Sequence, residues 1–259
     1  MTANKMSEST PLRAGILTIG NEVLDGHVLD TNSNWIEGRL SKLSVPIVRL
    51  ACVRDQTEEI AKGLQFIREV CNLVITSGGL GPTHDDMTLS AIAKALGRKL
   101  SEDKDALDIV IRQYKMLSEQ RIVENSDITP SRRKMAIIPE GSLPLNNTVG
   151  GAPGVRIEDG LTTIFCLPGV PAELKDIFVS SVEPWIKAQV TDHYYERIVE
   201  FRMRDESEFA PIMDRIMNKH PGVYIKSMPR RYGTSKVLRI WVSARGEDHQ
   251  ELKEIVSSA

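Results

Sequence analysis

Residues 72–96 read NLVITSGGLGPTHDDMTLSAIAKAL, and three local codes follow one another within them. NLVIT (72–76) is a short apolar run without alternation, the pattern of a strand buried on both faces. SGGLGPTHDDM then sets three glycines, a proline, a histidine and two adjacent aspartates where no strand continues. Leu89, Ile92, Ala93 and Leu96 return at helical spacing, and Gly97 ends them. A buried strand, a glycine-rich turn and a helix are the start of a βαβ unit, so the stretch predicts an α/β fold.

The flanking sequence repeats the pattern. RAGILTIG (13–20) and VPIVRLACV (45–53) read as strands, with Pro46 tolerated near the start of the second. Between them, SNWIEGRLSKL places Ile36, Leu40 and Leu43 on one helix face, with Ser33 as the candidate cap. After Asp55, Ile60, Leu64, Ile67 and Cys71 mark a further helix. The alternation of strand and helix predicts a mostly parallel sheet covered by helices on both faces, with ligands outside the carboxyl ends of the strands. SEDKDALDIVIRQYKML (101–117) reads as a helix, KMAIIP (134–139) and TTIFCLPG (162–169) as strands, and NNTVGGAPGV (146–155) as irregular. Glu173 to Ile186 is helical in pattern, with an interruption expected at Pro184.

Composition changes near residue 190. YYERIVEFRMR (194–204) alternates like a half-solvated strand, Phe209, Ile212, Met213 and Ile216 mark a helix, and GVYIKSMP and KVLRIWVSA read as strands around RRYGTS. EDHQELKEIV closes the chain as a helix. The expected organisation is a disordered tail (1–11), a larger α/β domain (12–189) and a small α+β domain (190–259).

Bulk properties exclude several classes. A net charge of −2 over 259 residues gives no global case for nucleic acid or membrane attraction. No apolar run approaches the roughly 20 residues needed to cross a bilayer. The polar MTANKMSEST start does not read as a secretory signal. Cys52, Cys71 and Cys166 match no metal spacing and lie in or beside apolar runs, as core thiols do. Together these points lead to the expectation of a cytoplasmic protein.

Two loops fall at the same sheet edge. In TSGGLGPTHDDMT (76–88), Gly78, Gly79 and Gly81 let backbone approach a ligand and form an amide nest for an anion. Asp85 and Asp86 either cap the following helix or hold a divalent cation against phosphate, and the pattern leaves both open. His84 is a further contact candidate. GNEVLDGHVLDTN (20–32) adds Asn21, Glu22, Asp25, Asp30 and Asn32. NNTVGGAPG and LPGVPAEL (167–174) either turn the chain or offer amides together with Asn147 or Thr148. No Gly-Lys-Ser/Thr follows the glycines, so this is not a P-loop, and no nucleophile triad is evident.

The ordered set GNEVLDG, DTN, TSGGLGPTHDDMT, NNTVGGAPG and LPGVPAE resembles the molybdopterin-binding domain of the competence/damage-inducible protein A (CinA) family. Its wider relatives include molybdenum-cofactor biosynthesis proteins and the N-terminal domain of some FAD synthetases. The resemblance spans residues 12–185, and the tail after 190 resembles the KH-like domain of that family. It implies a three-layer α/β/α domain and a phosphorylated nucleotide or pterin as ligand. It also implies metal-dependent hydrolysis of ADP-ribose to AMP and ribose 5-phosphate, with pterin binding and adenylyl transfer as the alternative. On this resemblance Asp86, Asp30 and Glu22 are the catalytic candidates, and Asp86, Asp85 and Glu22 hold Mg²⁺, Mn²⁺ or Co²⁺. The implied ligand contacts are Gly20, Asn21, Thr76, Ser77, Gly78, Gly79, Leu80, Gly81, Asn147, Thr148, Gly150, Pro168 and Gly169.

Two departures stand out. Leu80 replaces the threonine of the Gly-Gly-Thr-Gly usual in the molybdenum-cofactor enzymes, and the deamidase activity that many CinA proteins add through a C-terminal domain is not expected of these 259 residues. No Gly-x-x-Gly follows residue 190, so nucleic acid binding through the KH-like tail is a minor alternative. Lys226, Arg230, Arg231, Lys236 and Arg239 read as a solvated hairpin or a dimer contact. A symmetric homodimer is the default expectation.

Overall fold

The computed structural model describes residues 11–202, 206–228 and 237–259. The tail before Pro11, the RRYGTS turn, and Met203, Arg204, Arg230, Arg231 and Lys236 lie outside the described residues. The chain divides into two compact units, the second running from Val190 to Ala259 and taking in Ser41–Ser44.

The first unit opens with β1 (Ala14–Ile19), α1 (Asn21–Leu24), α2 (Thr31–Lys42), β2 (Ile47–Val53), α3 (Thr57–Arg68), β3 (Leu73–Ser77) and α4 (Thr88–Ala95). It continues with β4 (Leu100–Glu102), α5 (Lys104–Glu119), α6 (Pro130–Lys134), β5 (Ile137–Pro139), β6 (Leu143–Leu145), β7 (Gly154–Asp159), β8 (Thr162–Leu167), α7 (Pro171–Ile177) and α8 (Glu183–Lys187). Six strands form one sheet in the order β2-β1-β3-β8-β7-β6. β2, β1, β3 and β8 pair in parallel, whereas β7 and β6 run antiparallel at one edge. All residues of β1, β3 and β8 are buried, which is why these segments read as unbroken apolar runs.

Alternate residues feed two cores. Leu17, Ile19, Val74 and Ile164 join Ile60, Leu64, Ile67, Ile92, Ala106 and Val110 from α3, α4 and α5. Ile16, Ile75, Phe165 and Leu167 are buried on the opposite side, where Phe165 meets Trp185 and Trp35 of α2 meets Phe178, both edge to face. The domain is therefore a mostly parallel sheet between two helical layers. Asp103 caps α5 by accepting from the Ala106 amide.

Several expectations change. Asp30, not Ser33, caps α2: its Oδ1 accepts the Ser33 amide at 2.9 Å. KMAIIP does not enter the main sheet. Residues 130–134 are helical and Ile137–Pro139 pairs only with Leu100–Glu102. NNTVGGAPGV is irregular only to Pro153, because Gly154 begins β7. Pro184 does not break the last helix. A π-turn, Phe178–Val182, leads into α8, where Pro184 occupies the first turn and its missing N–H costs little. Cys71 and Cys166 are buried free thiols, but Cys52 is half-buried. Burial pushes the Cys166 thiol up to about 12.

The second unit comprises β9 (His193–Arg202), α9 (Ala210–Lys219), β10 (Val223–Met228), β11 (Val237–Gly246) and α10 (His249–Ser258). Its antiparallel sheet, ordered β10-β11-β9, buries Val223, Ile225, Leu238, Ile240 and Val242 against Phe209, Leu252 and Val256. Of the expected basic cluster, Lys226 is exposed and Arg239 pairs with Glu200 at 3.4 Å. Among the described residues no helix is long and apolar enough to cross a membrane.

The approach of α3 to the sheet requires Gly15 and Gly63. A Cβ on Gly15 would lie 2.2 Å from Ile67 Cγ2, and one on Gly63 would lie 2.8 Å from Leu17 Cδ1. Gly15→Val should therefore destabilise the chain by about 1–3 kcal/mol through overpacking. Chemical denaturation measures this, and an unchanged midpoint would show that the helix can move away freely.

Candidate functional site

Thr18 of β1 and Ser77 of β3 are register partners, and Ser77 in turn pairs with Leu167 of β8. The three strands therefore end side by side at their carboxyl edge. The loops that leave them, 20–30, 78–87 and 168–170, enclose a cleft of about 470 Å³. That volume suits a small organic ligand. Tyr114 of α5, Met135, Gly151, Ala152 and Glu173 of α7 complete its wall.

The turn after β3 is conformationally committed. Gly78 and Gly79 have φ of 109° and 69°, a region that side chains disfavour. A Cβ on Gly78 would lie 2.2 Å from Ile19 O, and one on Gly79 would lie 2.2 Å from Thr88 Oγ1. Thr88 holds the turn from the start of α4, donating its hydroxyl to Gly78 O at 2.8 Å and its amide to Gly79 O at 3.2 Å. The Gly78 amide is used by Leu167 O at 3.0 Å. The amides of Gly79, Leu80 and Gly81 have no protein acceptor among the described residues. The Leu80 side chain packs into the core, so only backbone can donate at that position.

Asp85 and Asp86 do not cap α4, whose N-cap position is Met87 with no side-chain bond. Asp86 Oδ2 instead accepts from the Thr83 amide at 2.8 Å and the Thr83 hydroxyl at 2.6 Å. The same hydroxyl faces Asp85 Oδ1, and it is the main reason the Asp85 carboxyl is held below its usual range. Lys134 Nζ donates to the carbonyls of Thr83 and Asp86 and ties this acidic turn to α6. Gly81 makes room for the carboxylate, since a Cβ there would lie 2.6 Å from Asp86 Oδ2.

The loop after β1 is anchored independently. The Asn21 amide donates to Asp55 Oδ2 at 2.8 Å, and Arg54 pairs with Asp25 at 2.8 Å. The Glu22 carboxylate folds back over Gly20, where a Cβ would lie 2.7 Å from Oε1. Asp30 accepts the Thr18 hydroxyl at 2.7 Å on Oδ2 besides capping α2 on Oδ1. Asn32 Nδ2 donates to Ser77 Oγ at 2.9 Å and to Gly169 O at 2.8 Å, so one amide group binds the three loops together. A carbonyl only accepts, and that fixes which end of the Asn32 amide faces Gly169.

Of the expected site residues, Gly20, Glu22, Asp30, Ser77, Gly78, Gly79, Leu80, Gly81, Asp85, Asp86, Pro168 and Gly169 line the cleft. Asn21, Thr76, Asn147, Thr148 and Gly150 do not. Thr76 is fully buried within β3, on the other side of the pleat from Ser77. Asn147 is also fully buried: its Oδ1 accepts the Val149 and Gly150 amides, and its Nδ2 donates to Ala152 O and Glu173 Oε2. Thr148 is engaged by Asp176 through both amide and hydroxyl. His84 is 99% exposed and is not part of the cleft wall. Asp55, Tyr114 and Glu173 line the cleft without having been singled out from sequence. Glu173 stands within LPGVPAE and was legible there as an acid beside a glycine turn, whereas Tyr114 is one helical aromatic among several. Burial raises the Glu173 carboxyl above its usual range, against the lowering bond from Asn147. Among the described residues no three His, Cys, Asp or Glu side chains converge as a protein-only metal cage.

A family model described as a probable molybdopterin binding domain matches residues 15–188. A protein of Pyrobaculum arsenaticum is 37% identical over 245 residues, covering 94% of this chain and 90% of its own. A protein of Metallosphaera sedula is 38% identical over 250 residues, covering 95% and 90%. The crystal structure of CinA from Thermoplasma acidophilum, described as a protein of unknown function, superposes with a TM-score of 0.62. It is 37% identical and covers 68% of this chain and 98% of that one. The matched segment contains both the sheet and every residue of the cleft, and on this ground the chain belongs to the family of probable molybdopterin-binding domains, in its CinA-like form.

Proposed function

We propose that the cleft binds a phosphorylated pterin of the molybdopterin type, with its phosphate on the amides of Gly79, Leu80 and Gly81. One observation carries this reading: three consecutive N–H groups without a protein acceptor stand in the cleft wall, in a turn that only glycine permits. Successive amides of this kind form an anion nest. Membership of a molybdopterin-binding family supports the pterin.

The acidic residues fit a divalent cation shared with the ligand rather than one caged by protein. Asp86 Oδ1 has no protein partner among the described residues, Asp85 is its neighbour in the same turn, and Glu22 adds a carboxylate from the loop after β1. Mg²⁺ takes one or two carboxylates and completes its shell with phosphate oxygens and water, and Mn²⁺ or Co²⁺ suits similar oxygen donors. Such an ion, when bound, would neutralise phosphate charge. Lys134 and Thr83 keep the acidic turn in place, and Asn32 keeps the loops at fixed separation.

A second reading is hydrolysis of a nucleotide diphosphate such as ADP-ribose to AMP and ribose 5-phosphate. It is favoured by further acids in the wall, Glu22, Asp30 and Asp55, although Asp30 and Asp55 also serve the fold by accepting from Thr18, Ser33 and Asn21. Leu80, which cannot provide a side-chain hydroxyl, supports it too.

Three outcomes test these readings. Gly79→Ala should weaken binding of inorganic pyrophosphate at least tenfold in calorimetry, and wild-type affinity in this variant would remove the turn as the phosphate site. Asp86→Ala should abolish any strengthening of pyrophosphate binding by Mg²⁺; a retained Mg²⁺ effect would move the cation elsewhere. Purified protein incubated with ADP-ribose and Mg²⁺, Mn²⁺ or Co²⁺ should release AMP on the hydrolytic reading, and no release with any of the three ends it.

A further inference from the structure

Glu173 is set into the cleft wall by Asn147, the residue that also organises the 147–152 turn. Its Oε2 accepts a 2.6 Å hydrogen bond from Asn147 Nδ2, whose other hydrogen goes to Ala152 O at 2.7 Å. Asn147 is fully buried, and its Oδ1 accepts the Val149 and Gly150 amides at 2.9 Å each, so its amide cannot turn. Gly150 yields space to the same carboxylate: a Cβ there would lie 2.3 Å from both Glu173 oxygens. Among the described residues the one protein partner of the Glu173 carboxylate is Asn147, on Oε2. A half-buried carboxylate without a cation costs the fold, and a ligand with N–H donors offsets that cost.

The neighbouring wall is chemically unlike the glycine turn. Tyr114, Met135 and Ala152 form the wall there, Met135 and Ala152 mostly buried in the core and Tyr114 covered on one ring face by the Arg132 guanidinium at 4.0 Å, which leaves a partly apolar edge for a flat heterocycle. Pterins and guanine nucleotides share an aminopyrimidinone edge, on which an exocyclic amine and a ring N–H point the same way. Two parallel donors match the two oxygens of one carboxylate, as in a fork of guanidinium on carboxylate. Adenine offers a donor beside an acceptor, and hypoxanthine lacks the amine.

We propose that Glu173, held by Asn147, recognises the aminopyrimidinone edge of the ligand and so selects pterin- or guanine-type compounds over adenine-type ones. The inference rests on the cleft being the phosphate-binding site argued above.

Calorimetric titration of the full chain separates the two claims. The probes are hydroxymethyl-dihydropterin pyrophosphate, guanosine diphosphate, inosine diphosphate, adenosine diphosphate and inorganic pyrophosphate. The first two should bind at least about tenfold tighter than the inosine and adenosine compounds, the scale of one lost charge-assisted hydrogen bond. The order of the first two tells pterin from guanine nucleotide as the source of the edge. Glu173→Gln keeps an acceptor for Asn147 and should collapse the affinities of the four organic probes onto one value, with the melting temperature confirming that it folds. Binding of all four with equal strength in the wild type overturns the proposal, as does a preference that survives Glu173→Gln. A preference for adenosine diphosphate that Glu173→Gln removes overturns it as well, because the carboxyl would then be reading adenine. No binding of any probe, pyrophosphate included, overturns the phosphate reading and this one with it.

Discussion

Two missing side chains hold the site open. At Gly78 the chain leaves β3 with its Cα hydrogen against Ile19 O, and at Gly79 it passes the Thr88 hydroxyl, both at distances where no Cβ fits. The same passage leaves the amides of Gly79, Leu80 and Gly81 at the cleft without a protein acceptor among the described residues. Were the turn to relax into an allowed conformation for ordinary residues, the ladder between β1 and β3 would have to slip or α4 would have to lift from the sheet. Neither is cheap, since both elements are packed into the core by Leu17, Val74 and Ile92.

Around this turn the charge is arranged by subtraction. Glu22, Asp86 and Glu173 each lie against a glycine, Gly20, Gly81 and Gly150 respectively, and in each case a Cβ would collide with the carboxylate. Backbone therefore approaches acid closely at three places, in three separate segments. Dipoles and amides stabilise the negative groups without neutralising them. Cations are kept to supporting roles: Lys134 reaches carbonyls behind the acidic turn, and Arg54 binds Asp25 at the outer loop. The cleft wall thus combines amides that have no protein acceptor with carboxylates that no Lys or Arg side chain neutralises, among the described residues.

Much of this was legible in residues 72–96 and their repeats. Unbroken apolar runs predicted β1, β3 and β8, and the glycine turn announced a loop at the carboxyl edge, because burial on both faces and backbone freedom leave local marks. The antiparallel edge was hidden. LPL (143–145) is only three residues long and holds a proline, GVRIED (154–159) is half charged, and their strand character comes from pairing with each other and with β8. Asp30 could be read as a loop acid, but its capping of α2 depends on Thr18 arriving from another strand.

The sequence by itself determined the class of fold, the order of its principal elements, and the strand edge and loops that form the cleft. Those depend on periodicity and on which residues tolerate a turn, and both are local properties. The tertiary structure alone decided which polar residues face the cleft. Asn147 turned inward because Ala152 O and the Val149 and Gly150 amides partner its side chain there, and the Glu173 carboxylate is held in the cleft wall by that buried amide. A side chain's direction is set by its partners, which come from segments distant in the chain.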